Sequence, residues 1–141
     1  MKIAVGSDHG GLALKTIVLA LLQELGHDGE DVGCFDTDSV DYPQFADLVC
    51  GKVTSGQADK GILICGTGIG MSMAANRHDN IRAALCSEQY TARMSREHND
   101  ANVLCIGERV TGPGIAEEIV RTWLSTPFNG GRHLRRIELF N

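Results

Sequence analysis

"KGILICGTGIGMSMAANR", residues 60–77, is the stretch on which the fold turns. After Lys60 it is continuously apolar to Cys65, as a short strand covered on both faces should be, and such a strand belongs to a parallel sheet layered by helices. Three glycines then fall within five positions, Gly66, Gly68 and Gly70, and a short helix is expected from about Gly70.

The same alternation extends in both directions. Towards the N-terminus stand a buried strand "KIAVG" (2–6), a helix over 10–26, a strand "GEDVG" (29–33) and a helix over 42–56 with Pro43 in its first turn. In the first helix Leu14, Ile17, Val18, Leu21, Leu22 and Leu25 recur at steps of three and four, and Gly26 is placed to cap it. Towards the C-terminus stand strands "IRAALC" (81–86) and "NVLCIG" (102–107), a helix over 87–98 between them and another over 114–125. Strict alternation predicts one α/β domain, residues 1–141, with a doubly wound parallel sheet. After Pro127, Gly130 and Gly131 precede a short basic helix with too little apolar surface to be a core element. The tail, 127–141, is therefore expected to lie against something else.

A chain of 141 residues suits a single core. The longest strictly apolar run, Ile17 to Leu22, is far too short to span a bilayer, and "MKIAVGSDHGG" lacks the marks of a secretory leader, so a cytoplasmic location is the expectation. A net charge of -5 argues against a general nucleic-acid or anionic-membrane surface. The five cysteines, at 34, 50, 65, 86 and 105, are scattered without a CxxC, which supports neither a disulfide framework nor a structural zinc. Against the acidic total, Arg132, Arg135 and Arg136 crowd into the last ten residues.

In doubly wound sheets ligands gather beyond the carboxyl ends of the strands, where strand order reverses. The loops to weigh are therefore "GSDHGG" (6–11) and "CGTGIGMS" (65–72). "GTGIG" meets neither the dinucleotide fingerprint nor the P-loop, which disfavours a nucleotide site. Its backbone amides suit an oxyanion or phosphate, and a tight turn without ligand is the plainer alternative. Cys65 stands immediately before those amides, at the positive end of the following helix, which favours thiolate. A cysteine ending an apolar run is otherwise a small buried hydrophobe. A thiolate beside an oxyanion site suits covalent acyl chemistry or proton abstraction next to a carbonyl, and these residues alone leave both open. Asp8 and His9 stand at the tip of the first strand, as ligand groups or as a cap and a solvent-facing ring. His98 and Asn99 end a helix, where polar caps are common. Arg109 follows the last strand, and Arg132 and Arg136, four apart, share a helix face suited to gripping one phosphate.

In order and spacing, "GSDHGG", "DYPQFA", "CGTGIGMSMAANR", "EHNDANVLCIGER" and "GGRHLRRI" resemble the ribose-5-phosphate isomerase B family, which includes the galactose-6-phosphate isomerase subunits. The resemblance covers nearly the whole chain. It implies a Rossmann-like, five-stranded parallel sheet of order 2-1-3-4-5. It also implies an aldose–ketose isomerase without metal or cofactor, interconverting D-ribose 5-phosphate and D-ribulose 5-phosphate through an enediolate. In that resemblance Cys65 is the base and the backbone of Gly66, Thr67, Gly68, Ile69 and Gly70 holds the enediolate oxygens. His98, helped by Thr67, opens the furanose ring. Asp8, Tyr42 and Asn99 bind hydroxyls, while His9, Arg109, Arg132 and Arg136 meet the phosphate or neighbouring oxygens. Some relatives use a glutamate from the following loop instead, but Met71 and Ser72 offer no carboxylate here. The resemblance further implies a site shared between subunits of a homodimer, with pairing into tetramers as the further option and the tail docked on the partner. Allose 6-phosphate, galactose 6-phosphate or a tetrose phosphate as substrate, and a non-catalytic sugar-phosphate-binding subunit, are the alternatives.

Overall fold

The computed structural model describes all residues, 1–141. Its strands are β1 (Lys2–Ser7), β2 (Asp28–Asp31), β3 (Lys60–Cys65), β4 (Ala83–Leu85) and β5 (Val103–Gly107). Its helices are α1 (Leu12–Glu24), α2 (Tyr42–Thr54), α3 (Ile69–Ala75), α4 (Gln89–Glu97), α5 (Pro113–Ser125) and α6 (Arg132–Ile137), with a one-turn 3-10 helix, His9–Gly11, leading into α1. No helix is long and apolar enough to cross a membrane.

All four strand pairings are parallel, as the alternation predicts. The order is β2-β1-β3-β5-β4, which corrects the expected 2-1-3-4-5 at one edge. The reason is burial. β5 is buried at every residue and takes the interior, whereas β4 has only three residues, none of them buried, and takes the edge. Asn76 closes that edge. Its Oδ1 accepts the Ala83 N–H at 2.9 Å and its Nδ2 donates to the Ala83 carbonyl at 2.9 Å, so one carboxamide pairs the outward main-chain groups of the first β4 residue.

Right-handed crossovers then fix the layers. α1, α4 and α5 cover one face over a core that includes Ile3, Val5, Ile62, Leu104, Ile119 and Trp123. α2 and α3 cover the other over Ala4, Leu63, Met71, Val103 and Cys105. Each fully buried Leu, Ile or Val contributes roughly 1.5–3 kcal/mol, and the largest fully buried side chain is Trp123.

α1 departs from a simple amphipathic reading. Leu14, Val18, Leu21 and Leu22 are buried as their spacing predicts, while Ile17 and Leu25 are only partly so. Lys15 is 1 % exposed. Its ammonium donates to Asp31 Oδ1 at 2.6 Å and to the Cys34 carbonyl, and lies 5.1 Å from the centre of the Phe35 ring. A cation on the inner side of the helix thus roots the β2–α2 loop.

The tail packs on its own chain. The Asn129 N–H donates to the Glu97 carbonyl at 3.1 Å, Ile137 is buried, and Asn141 Oδ1 accepts from Arg82 at 2.6 Å. The expected external support is therefore at least partly the end of α4 and the start of β4. Leu134, Leu139 and Phe140 remain exposed on its outer side.

Candidate active site

The carboxyl ends of β1, β3 and β5 lie side by side, with Ser7 opposite Ile64 and Cys65 opposite Gly107. Three loops leave from these ends and are tied to one another. Asp8 N–H donates to the Ile64 carbonyl, Glu108 N–H to the Cys65 carbonyl and Arg109 N–H to the Gly66 carbonyl, at 3.2, 2.9 and 2.9 Å.

The β3–α3 loop folds tightly around Cys65. Gly68 has φ 77°, a left-handed conformation that glycine adopts without steric cost. A Cβ there would also fall 2.5 Å from Leu85 Cδ1 and 3.0 Å from the Ile106 carbonyl carbon. This turn aims the Gly68 N–H at Cys65 Sγ, 3.1 Å away. The sulfur thus sits where a main-chain donor meets it, an arrangement suited to negative charge on sulfur. Cys65 is 5 % exposed, against 0 % for Cys50 and Cys105, so it lies just beneath the loop surface. Burial raises the Cys50 thiol to about 12 and holds that of Cys105 well above its ordinary range, which marks these two as packing groups. The N–H groups of Gly66 and Thr67 donate to no acceptor in the chain, whereas Ile69 N–H donates to Thr67 Oγ1 at 3.3 Å.

Tyr42 and Arg109 reach this loop from other elements, and Asp8 and His9 stand on the neighbouring β1–α1 loop. Tyr42, first residue of α2, lays its ring against Gly70, where a Cβ would fall 2.6 Å from Cζ. The Arg109 guanidinium spans Gly66 and Gly10: a Cβ on Gly66 would lie 3.3 Å from Nη1, and one on Gly10 would lie 3.5 Å from Nη2. Asp8 is buried, and its Oδ1 caps the 3-10 turn by accepting the Gly10 N–H at 2.9 Å. His9 Nδ1 accepts the Val40 N–H at 3.2 Å, which leaves Nε2 as the free edge of the ring and, in the neutral tautomer, its donor. The last bond joins the Lys15-rooted loop to the site.

His98, Asn99, Arg132 and Arg136 are not part of this group within the chain. α4 runs back from the carboxyl end of the sheet, so its last residues stand at the amino end of β5. Five strand residues at a rise of about 3.3 Å put roughly 16 Å between the two levels. There the His98 ring stacks on His133, centres 4.2 Å apart and planes 10° from parallel. The Asn99 carbonyl accepts from Arg82 Nε at 3.0 Å, and its side chain lines a cavity of about 250 Å³ with Asn76, Ser95 and Phe140. Arg132 and Arg136 are exposed on α6. Desolvation, then the neighbouring His98, Arg132 and Arg136, hold the His133 pKa below 6.5. The predicted site residues thus form two groups, one at each end of the sheet. Lys15, Val40, Glu108 and His133 were missed, because single residues of these types carry no sequence signal without their partners. Glu108, in "EHNDANVLCIGER", and His133, between two of the tail arginines, stood in segments already marked.

Known proteins match this chain over nearly its whole length. The sequence profile described as Ribose/Galactose Isomerase matches residues 3–140. A protein named ribose-5-phosphate isomerase B from Escherichia coli (strain K12) is 49% identical over 97% of this chain and 92% of its own length. A putative sugar phosphate isomerase of Bacillus subtilis (strain 168) is 52% identical over 97% and 93%. The solved structure of Clostridium thermocellum ribose-5-phosphate isomerase B, 52% identical, superposes with a TM-score of 0.98 over 99% of this chain and 94% of that one. The chain belongs to the ribose/galactose isomerase family.

Proposed function

We propose that the chain interconverts D-ribose 5-phosphate and D-ribulose 5-phosphate, with Cys65 as the base. The observation that carries this reading is Cys65 Sγ, held by the Gly68 N–H at 3.1 Å, beside a loop whose Gly66 and Thr67 N–H groups are uncommitted. The names borne by the E. coli and C. thermocellum relatives support the substrate.

In the open-chain aldose, the thiolate of Cys65 takes the proton from C2. The C2–H electron pair becomes the C1=C2 bond of an enediolate, and the carbonyl oxygen at C1 gains the charge. The O2 hydroxyl proton passes to O1, the proton held by Cys65 returns to C1, the carbonyl forms at C2, and the ketose results. That C–H is acidic enough only where the oxyanion is stabilised, so base and donors must share one small site. Within the 66–70 backbone the Gly66 and Thr67 N–H groups are free donors, those of Gly68 and Ile69 being engaged with Cys65 Sγ and Thr67 Oγ1. Tyr42 and Asp8 bind hydroxyls, and His9 Nε2 and the Arg109 guanidinium take the phosphate or adjacent oxygens.

Ring opening needs an acid–base pair, assigned to His98 with Thr67. His98, Asn99, Arg132 and Arg136 stand at the other end of their own sheet, so a second copy supplies them. The reading is therefore a homodimer with shared sites, in which the outer side of each tail docks on the partner. Steady-state kcat/KM over ribose 5-phosphate, allose 6-phosphate, galactose 6-phosphate and a tetrose phosphate tests the substrate. A preference other than ribose 5-phosphate overturns it. Binding of all four without turnover indicates a non-catalytic subunit.

A further inference from the structure

Glu108 has no part in the chemistry above, yet it joins all three strand-end loops. Its main-chain N–H donates to the Cys65 carbonyl, and the next N–H, of Arg109, donates to the Gly66 carbonyl, both at 2.9 Å. Its carboxylate crosses to α1, where Oε2 accepts the Leu14 N–H at 2.9 Å. α1 needs an acceptor from elsewhere. Its N-cap is Gly11, which makes no side-chain capping bond, and first-turn N–H groups have no partner within a helix. The residues leading into that turn are those of the β1–α1 loop, Asp8 and His9 among them. Arg109, next to Glu108, reaches back over the same loop at Gly10.

Resting on the sugar-phosphate reading, we propose that Glu108 is a positioning residue for phosphate binding. Its carboxylate, clamped on the first turn of α1, sets the separation of Arg109 on one loop from His9 on the other. Past β5 the backbone is bonded to the Cys65 loop through Glu108 and Arg109 N–H, while the Val110 and Thr111 N–H groups return to Gly107, so none of these bonds reaches α1. The Glu108 carboxylate is the tie from this loop to α1. A two-point grip on one phosphate depends on a fixed spacing, because misplacing either point loses affinity without touching the reacting carbons.

A residue that only caps a helix changes melting temperature. One that spaces a phosphate grip changes KM. In the full chain, Glu108→Ala is expected to raise both KM for ribose 5-phosphate and the Kd of inorganic phosphate, read by calorimetry, about tenfold, with kcat within about threefold. Glu108→Gln keeps an oxygen acceptor for Leu14 and is expected within about threefold of the unaltered protein throughout. Where Glu108→Ala does not fold, Glu108→Asp, one methylene short of Leu14, is expected to show the same shift. A lowered melting temperature with unchanged KM and phosphate Kd overturns the proposal. So does a Gln variant as impaired as the Ala variant, or an unaltered protein that binds no phosphate. Phosphate binding is read without turnover, so a chain inactive on ribose 5-phosphate overturns the function and leaves this comparison decisive.

Discussion

The imidazoles of His98 and His133 lie face to face, centres 4.2 Å apart, and the contact fastens α6 to the end of α4. At that distance the His98 ring opposes protonation of His133. Loss of hydration on docking is the larger effect on His133, whose pKa stands below the ordinary 6.5.

This sets a pH dependence for the tail. The undocked tail binds a His133 proton near pH 6.5 and the docked tail only below that, so in the window beneath 6.5 the undocked state holds more protons. Docking is complete above the window and weakens as pH falls through it. Amide chemical shifts of residues 132–137, followed by NMR from pH 7.5 to 5, are expected to move towards undocked values. His133→Phe keeps a flat ring without the charge and is expected to flatten the curve.

Cys65→Ala is expected to reduce isomerase turnover by 10³-fold or more while ribose 5-phosphate still binds, on the proposed role of the thiolate as base. The fold is expected to survive, because the change removes a single sulfur that lies just beneath the loop surface, at the margin of the core. Exchange of the C2 hydrogen with deuterated solvent, monitored by NMR, is the direct check. Exchange at the rate of the unaltered protein would transfer the role of base to another group.

Complementation tests the shared site. Cys65→Ala and His98→Ala chains, each inactive alone, are expected to recover about a quarter of full activity when mixed one to one and allowed to exchange subunits. Half the dimers are then mixed, and each has one site with both residues intact. No recovery, with exchange verified by native mass spectrometry, would place both residues in the same chain's site.

Gly70 and Tyr42 are expected to be energetically coupled. Gly70→Ala drives a Cβ to 2.6 Å from the Tyr42 ring, so it displaces that ring and weakens substrate binding about tenfold. In a Tyr42→Ala background the same change meets nothing and adds little. The double-mutant cycle in KM is expected to depart from additivity by about 1 kcal/mol or more.

Lys15→Ala leaves the Asp31 carboxylate and the Cys34 carbonyl without their cation. Removing one partner of a buried pair costs about 3 kcal/mol, discounted here because Asp31 is 32% exposed, so about 2 kcal/mol is expected in chemical denaturation.

The alternation of elements and the place of the Cys65 loop were legible because each rests on local pattern, whereas Tyr42 entered only through the family resemblance. Continuous burial marks β3 and β5, and the glycines mark the turn after Cys65. The edge order was not legible, since it depends on the relative burial of β4 and β5 rather than on either alone. The inward course of Lys15 escaped for a related reason: a lysine in an amphipathic helix reads as solvent-facing until Asp31 and Cys34 are in place. The separation of His98 from Cys65 follows from the reversal of α4, which spacing along the chain does not reveal.

The carboxamide of Asn76 on Ala83 also governs how copies of this molecule meet. With one sheet margin occupied by a side chain and the other, β2, lined by Asp28, Glu30 and Asp31, neither border invites hydrogen-bonded annexation by a neighbour. Strand addition by a second copy would meet a carboxamide at one margin and carboxylates at the other, which favours helix and tail surfaces as the faces for self-association.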